Sequence, residues 1–152
     1  MSNTFNDEAA QLAFARAIGD DRREFGNFFL TRLLGLEISY PDDDECCVVE
    51  LEVEDFMFNP QGSLHGGVIA TVLDISMGHL LTRSIGPGMT LEMKTQFLRP
   101  ARMGRIRAEG RFLKKGKAIN YLETRLTDAA GSVLAVASST WQLLPAGEPS
   151  GR

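Results

Sequence analysis

The stretch GGVIATVLDISMGHLL, residues 66–81, decides how this 152-residue chain folds. Apolar side chains fall on every side of its helical wheel: Val68, Ile69, Ala70, Val72, Leu73, Ile75, Met77, Leu80 and Leu81. A helix without a polar face is buried in a core or spans a membrane. This run is short of the ~20 residues a bilayer needs, and a mid-helix carboxylate is costly there. It therefore reads as the core helix of a water-soluble fold. Its one formal charge is Asp74. An unpaired interior charge is expensive and is usually retained for chemistry.

Working outward, the bulk numbers set bounds. The chain is long enough for one domain with a real core. With 43% hydrophobic and 24% charged residues, disordered, fibrous and coiled-coil classes are excluded. The net charge of −4 argues against a nucleic-acid partner, which would need a basic footprint. Part of that charge is local, in Asp42-Asp43-Asp44-Glu45, a solvated turn. Cys46 and Cys47 are adjacent, so on a strand they face opposite ways and read as packing residues. With only two histidines and no CxxC, no protein metal site is expected. The N-terminus lacks a signal peptide, so a cytoplasmic protein with no membrane partner is expected.

One domain is expected over residues 1–152, with a core about 25–144, a helix about 7–18 and a flexible tail 145–152. Asn6 suits the cap of that first helix, and Gly19 its end. Leu33–Tyr40 reads as a first strand. Cys47–Asp55 alternates Val49, Leu51, Val53 against Glu50, Glu52, Glu54, as a half-solvated second strand does. The helix follows, from about Gly66 to Arg83. Four more strands come after it: Met89–Leu98, Arg105–Leu113, Ala118–Asp128 and Ser132–Leu144. The expectation is α+β, an antiparallel meander curled around an apolar helix.

Spacing constrains the chemistry. His65 precedes Asp74 by nine residues, roughly 14 Å along a helix axis and on its opposite side. A relay between the two within one chain is excluded. If they cooperate, a two-fold dimer must pair one chain's loop with its partner's Asp74. Gly66 and Gly67, without Cβ, let a ligand approach the first-turn amides, which favour an anionic oxygen. That makes a candidate oxyanion hole, to which Asn59 can add a side-chain N–H. Ala70 and Gly78, four residues either side of Asp74, leave room beside its carboxylate, which can activate water or attack a carbonyl.

Asn59-x5-His65-Gly66-Gly67-x6-Asp74 resembles the signature of PaaI-type hotdog-fold thioesterases. The likeness runs over roughly Gly35–Leu144. It includes Gly88-Met89-Thr90-Leu91-Glu92-Met93, like the family strand that brings a hydroxyl to the site, and Phe97-Leu98-Arg99-Pro100-Ala101, like its ending.

The resemblance implies a hotdog fold, a sheet wrapped around a long central helix, and hydrolysis of acyl-CoA or aryl-CoA thioesters. Asp74 would be base or nucleophile. Asn59 and the Gly66 N–H would polarise the carbonyl from the opposite subunit, with His65 orienting the loop and Thr90 helping to hold water. Gly67, Arg99, Arg102, Lys114, Lys115 and Lys117 would contact substrate, the last three at a hairpin near the CoA phosphates. No cofactor is implied beyond the substrate's own CoA, and the assembly would be a homodimer or a dimer of dimers.

Simpler roles stand beside these: a helix cap for His65, an Asx-turn for Asn59, a solvated turn for the lysines. Two other functions also stay open, a hotdog dehydratase or hydratase and a non-catalytic acyl-CoA-binding module. The mid-helix carboxylate favours an enzyme over a binder.

Overall fold

The computed structural model describes residues 7–41 and 45–147. The expected cap Asn6, the turn Asp42–Asp44 and the tail beyond residue 147 lie outside them. In chain order the elements are α1 (Asp7–Ile18), α2 (Phe29–Leu34), β1 (Glu37–Ser39), β2 (Cys46–Val53), α3 (Gly66–Ser84), β3 (Gly88–Phe97), β4 (Gly104–Lys114), β5 (Ile119–Asp128) and β6 (Val133–Leu143). Six antiparallel strands form one sheet that wraps the long helix α3, the α+β hotdog architecture with a short N-terminal helix.

The helix fills the sheet's concave face. Val72, Leu73, Met77, Leu80 and Leu81 pack against Val49, Leu51, Ala108, Leu122, Leu126 and Trp141, all at most 5% exposed. Burial of this kind contributes ~25 cal/mol per Å² of apolar surface. β4 comes closest: a Cβ on Gly110 would stand 2.8 Å from the Ser76 carbonyl oxygen, so only glycine allows this helix–strand approach. The helix is not covered all round by its own chain. Gly67, Thr71, Asp74, Gly78 and Thr82, three or four residues apart, form a stripe that remains half-buried or exposed. Asp74 sits at its centre.

Two expectations are corrected. Leu33 and Leu34 belong to a helix, and the first strand shrinks to Glu37–Ser39. Thr31 holds the helix start, its hydroxyl accepting from Phe28 N–H at 3.1 Å and donating to Phe28 C=O at 2.7 Å. Gly35, at φ +65°, stops the helix in a left-handed cap, its N–H given to the Arg32 carbonyl. The two short helices also clip each other. Arg16 donates to the Arg32 and Leu33 carbonyls, and Arg32 to the Ala17 carbonyl.

The last four strands are not a simple meander either. The sheet order is β1-β2-β4-β5-β6-β3, so β3 pairs with β6 rather than β4. The six residues 98–103 carry the chain across three strand spacings, ~14 Å, which six residues at ~3.3 Å each can span. Hydrogen bonds hold this crossing down, Leu98 N–H to Leu134 C=O and Leu64 N–H to Ala101 C=O. It leaves the ten-residue β3 as a sheet edge.

Candidate active site

Asp74 is half-buried and bonded: the Thr90 hydroxyl donates to its Oδ1 at 2.8 Å. A bulge in β3 makes that bond possible. Pairing with β6 slips between Thr90 and Glu92, leaving Leu91 as the extra residue, so Thr90 before it and Met93 after it both face inward. Burial pushes the Asp74 carboxyl above its ordinary value, and the Thr90 hydrogen bond pulls it partly back. A carboxylate poised this way is a better proton acceptor than one in water.

Asp74 lines a cleft of about 910 Å³. Its other wall comes from the N-terminal segment, which gave no functional signal in the sequence. Ile18, Phe25, Phe28, Phe29 and Leu30 line it opposite Gly78 and Trp141. Gly78 is what admits the indole, since a Cβ there would stand 2.7 Å from Trp141 Cη2. Phe25 stacks on His79 with ring centroids 3.9 Å apart. The cue that could have found this wall is the run Phe25, Phe28, Phe29, dense in aromatics beside helix-spaced leucines.

The His-Gly-Gly turn lies elsewhere in the chain. Asn59, Gly66 and Arg99 line a separate cleft of about 290 Å³. His65 is the N-cap of α3: its Nδ1 accepts the Gly67 N–H at 2.9 Å. With the Val68 and Ile69 amides directed to the His65 carbonyl, the Gly66 N–H is the first-turn donor without a partner among the described residues. The Phe97 ring packs over Gly66, 3.4 Å from where a Cβ would stand. Asn59 makes the Asx-turn, its Oδ1 accepting from the Gln61 and Ser63 amides at 3.0 and 3.2 Å. Its Nδ2 bonds the Ser63 hydroxyl at 3.2 Å.

The expected CoA contacts divide. Arg99 borders the Asn59 cleft and donates to the Val133 carbonyl at 2.8 Å, while Arg102 is exposed. Lys114, Lys115 and Lys117 lie at the other end of the sheet from the Asn59 turn, because β4 begins beside Val53 and ends past Cys46. Lys115 pairs with Glu45 at 3.1 Å and rides over the Phe112 ring. One chain brings these lysines to neither cleft. Burial pushes the Cys47 thiol up to about 12, leaving it unreactive at neutral pH. Among the described residues no group of His, Cys, Asp or Glu is placed to hold a metal, and no helix is long and apolar enough to cross a membrane.

Comparison with known proteins fits this geometry. Residues 61–135 match the family model of the thioesterase superfamily. Human acyl-coenzyme A thioesterase 13 is 33% identical over 100 residues, covering 63% of this chain and 71% of that protein. Among solved structures, BH2602 from Bacillus halodurans, determined with CoA, superposes with a TM-score of 0.83. It is 20% identical and covers 95% of this chain and 98% of its own. The E. coli PaaI protein of the phenylacetic acid degradation operon gives a TM-score of 0.75 at 19% identity, over 90% and 96%. At these identities the two structures speak to the fold alone.

Proposed function

The chain belongs to the thioesterase superfamily, whose members hydrolyse thioesters, and from that premise we propose that its substrates are acyl-CoA or aryl-CoA thioesters, cleaved at a site shared between two subunits. Asp74 is the base or nucleophile. As base it takes a proton from water, whose oxygen attacks the thioester carbonyl. The carbonyl oxygen, now anionic, accepts from the Gly66 N–H and Asn59 Nδ2 of the opposite subunit. Collapse expels the CoA thiolate, which is protonated, and leaves the free acid. His65 fixes the turn that presents Gly66, and Thr90 orients the carboxylate.

One observation carries this reading. A partly desolvated carboxylate and an unpaired helix-start amide occupy separate clefts of the same chain, as a site shared between two subunits requires. Two features support self-association. α3 leaves the stripe around Asp74 open, and β3 is a long edge strand with Met89 and Leu91 each 49% exposed. An edge of that kind is a template for pairing with a second copy. A second copy also offers the route by which Lys114, Lys115, Lys117, Arg99 or Arg102 reaches the phosphates. A cytoplasmic dimer or dimer of dimers, needing no added cofactor, is the assembly proposed.

Thiol release from a panel of acyl-CoAs tests the reading. Asp74→Asn is expected to lower kcat by at least ~10² with KM little changed, as for a transition-state role. Near-normal turnover in that variant would remove Asp74 from the chemistry. Mixing inactive Asp74→Ala and Asn59→Ala chains should restore part of the activity through heterodimers. No recovery despite measured subunit exchange would refute the shared site.

A further inference from the structure

His79 is the second ionisable side chain of α3 that borders the Asp74 cleft, and hydrolysis gives it no task. It is 4% exposed. Burial pushes its pKa down to about 4, so the ring is neutral at physiological pH. A neutral imidazole has one donor and one acceptor nitrogen. The Tyr40 hydroxyl occupies Nδ1 at 3.2 Å, with the Arg83 guanidinium over the Tyr40 ring. Nε2 is buried with no hydrogen-bond partner among the described residues. Leaving a polar atom so placed is costly, and an apolar ring of similar size would avoid the cost.

The surroundings are arranged to seat that ring rather than to satisfy it. Phe25 stacks on one face at an interplanar angle of 23°, and Gly26, at φ +86°, runs beside Cε1, which a Cβ there would meet at 3.5 Å. Phe25 is itself 54% exposed, on a segment held by the Glu24–Asn27 bridge and by Arg32, which donates to the Asp20 and Arg22 carbonyls and to Asn27 Oδ1. The exposed Phe25 side chain is therefore the part free to swing off the imidazole and open it to the cleft. His79 lies five residues beyond Asp74, roughly 7.5 Å along the helix axis and about 140° round it, with Gly78 and Thr82 lining the cleft between the two. A partner for Nε2 thus belongs to the far part of a bound acyl group, not to the carbons next to the thioester.

We propose that His79 is a specificity-determining residue whose Nε2 hydrogen-bonds an oxygen carried by the acyl group remote from the thioester, so that the cleft selects hydroxylated acyl groups over unsubstituted ones. A hydroxyl both donates and accepts, and so suits Nε2 in either tautomer. The inference rests on the acyl-CoA hydrolase reading, and its test separates the two.

The probes are hexanoyl-CoA, 6-hydroxyhexanoyl-CoA and 2-hydroxyhexanoyl-CoA, with non-hydrolysable ketone analogues of each that carry a methylene between sulfur and carbonyl. In an extended 6-hydroxyhexanoyl chain the hydroxyl stands roughly 7 Å from the carbonyl carbon, from C–C bonds near 1.5 Å. Wild type is expected to favour the 6-hydroxy substrate about tenfold in kcat/KM and its ketone about tenfold in Kd, with no gain from a 2-hydroxyl. In His79→Phe both ratios should fall to near one. Equal Kd for the 6-hydroxy and plain ketones in wild type overturns the proposal without need of a variant, as does a preference that survives His79→Phe. Failure to cleave any acyl-CoA, with the Kd preference intact, removes the hydrolase reading and leaves His79 in place. Equal cleavage of all three substrates does the reverse.

Discussion

Thr90→Val isolates the one hydrogen bond that tunes Asp74. Valine keeps the β-branch and the strand preference, and exchanges the hydroxyl for a methyl of similar size. The lost donor stands 2.8 Å from Asp74 Oδ1 and is the sole influence opposing burial on that carboxyl. A hydrogen bond to a charged group is worth ~1.5–3 kcal/mol net. Because Asp74 is only half-buried, screening sets the effect near the lower end, about 1.5 kcal/mol.

Two measurements follow. The acid limb of kcat/KM against pH should move up, making the loss largest at low pH and smallest on the alkaline plateau. Stability carries the same sign. Asp74 has a raised pKa in the folded state, so its contribution to stability is present at low pH and lost as pH rises through that pKa. The Thr90 bond offsets the loss. Chemical denaturation should therefore find the variant less stable than wild type by about 1.5 kcal/mol at pH 8, with the gap closing below the Asp74 pKa. An unmoved acid limb together with a pH-independent stability difference would refute the reasoning.

Asp74→Asn, whatever its effect on turnover, should raise Tm at pH 8 and lose that advantage as pH falls and the wild-type carboxyl protonates; scanning calorimetry at several pH values checks the sign. Gly78→Ala puts a Cβ 2.7 Å from Trp141 Cη2, and the indole is held by its Nε1–H to the Ser139 hydroxyl at 2.6 Å. Overpacking there should cost ~1–3 kcal/mol and shift the emission of the chain's single tryptophan. Gly110→Ala meets the Ser76 backbone at 2.8 Å rather than a movable side chain. It should destabilise by more than Gly78→Ala in urea denaturation, and equal costs would show that β4 can retreat from α3.

The local elements were legible because each carries its own periodicity. Helix α3 was readable from its unbroken apolar wheel, and the strands over 88–97 and 104–143 from alternation and glycine-bearing turns, to within about a residue at most ends. Asp74 stood out for the same reason, as a charge where the pattern allows none. The one misread element, Leu33–Tyr40, is a place where an apolar run of helical spacing meets a strand through Gly35. Single-run patterns do not divide such a segment.

What no spacing contains is which strand lies beside which. The pairing of β3 with β6 is set by closure of the sheet around α3, with the 98–103 crossing long enough to permit it. From that closure comes the Thr90–Asp74 bond. The packing of α1 and α2 beside the sheet brings the aromatic wall and the buried His79 edge to Asp74. The same closure sends the hairpin lysines to the far end of the sheet from the Asn59 turn. The sequence by itself determined the helix, the strands and the odd carboxylate, because those follow from each segment's own side chains. Only the tertiary structure decided what faces that carboxylate, because the Thr90 hydroxyl and the aromatic wall come from segments outside its own helix.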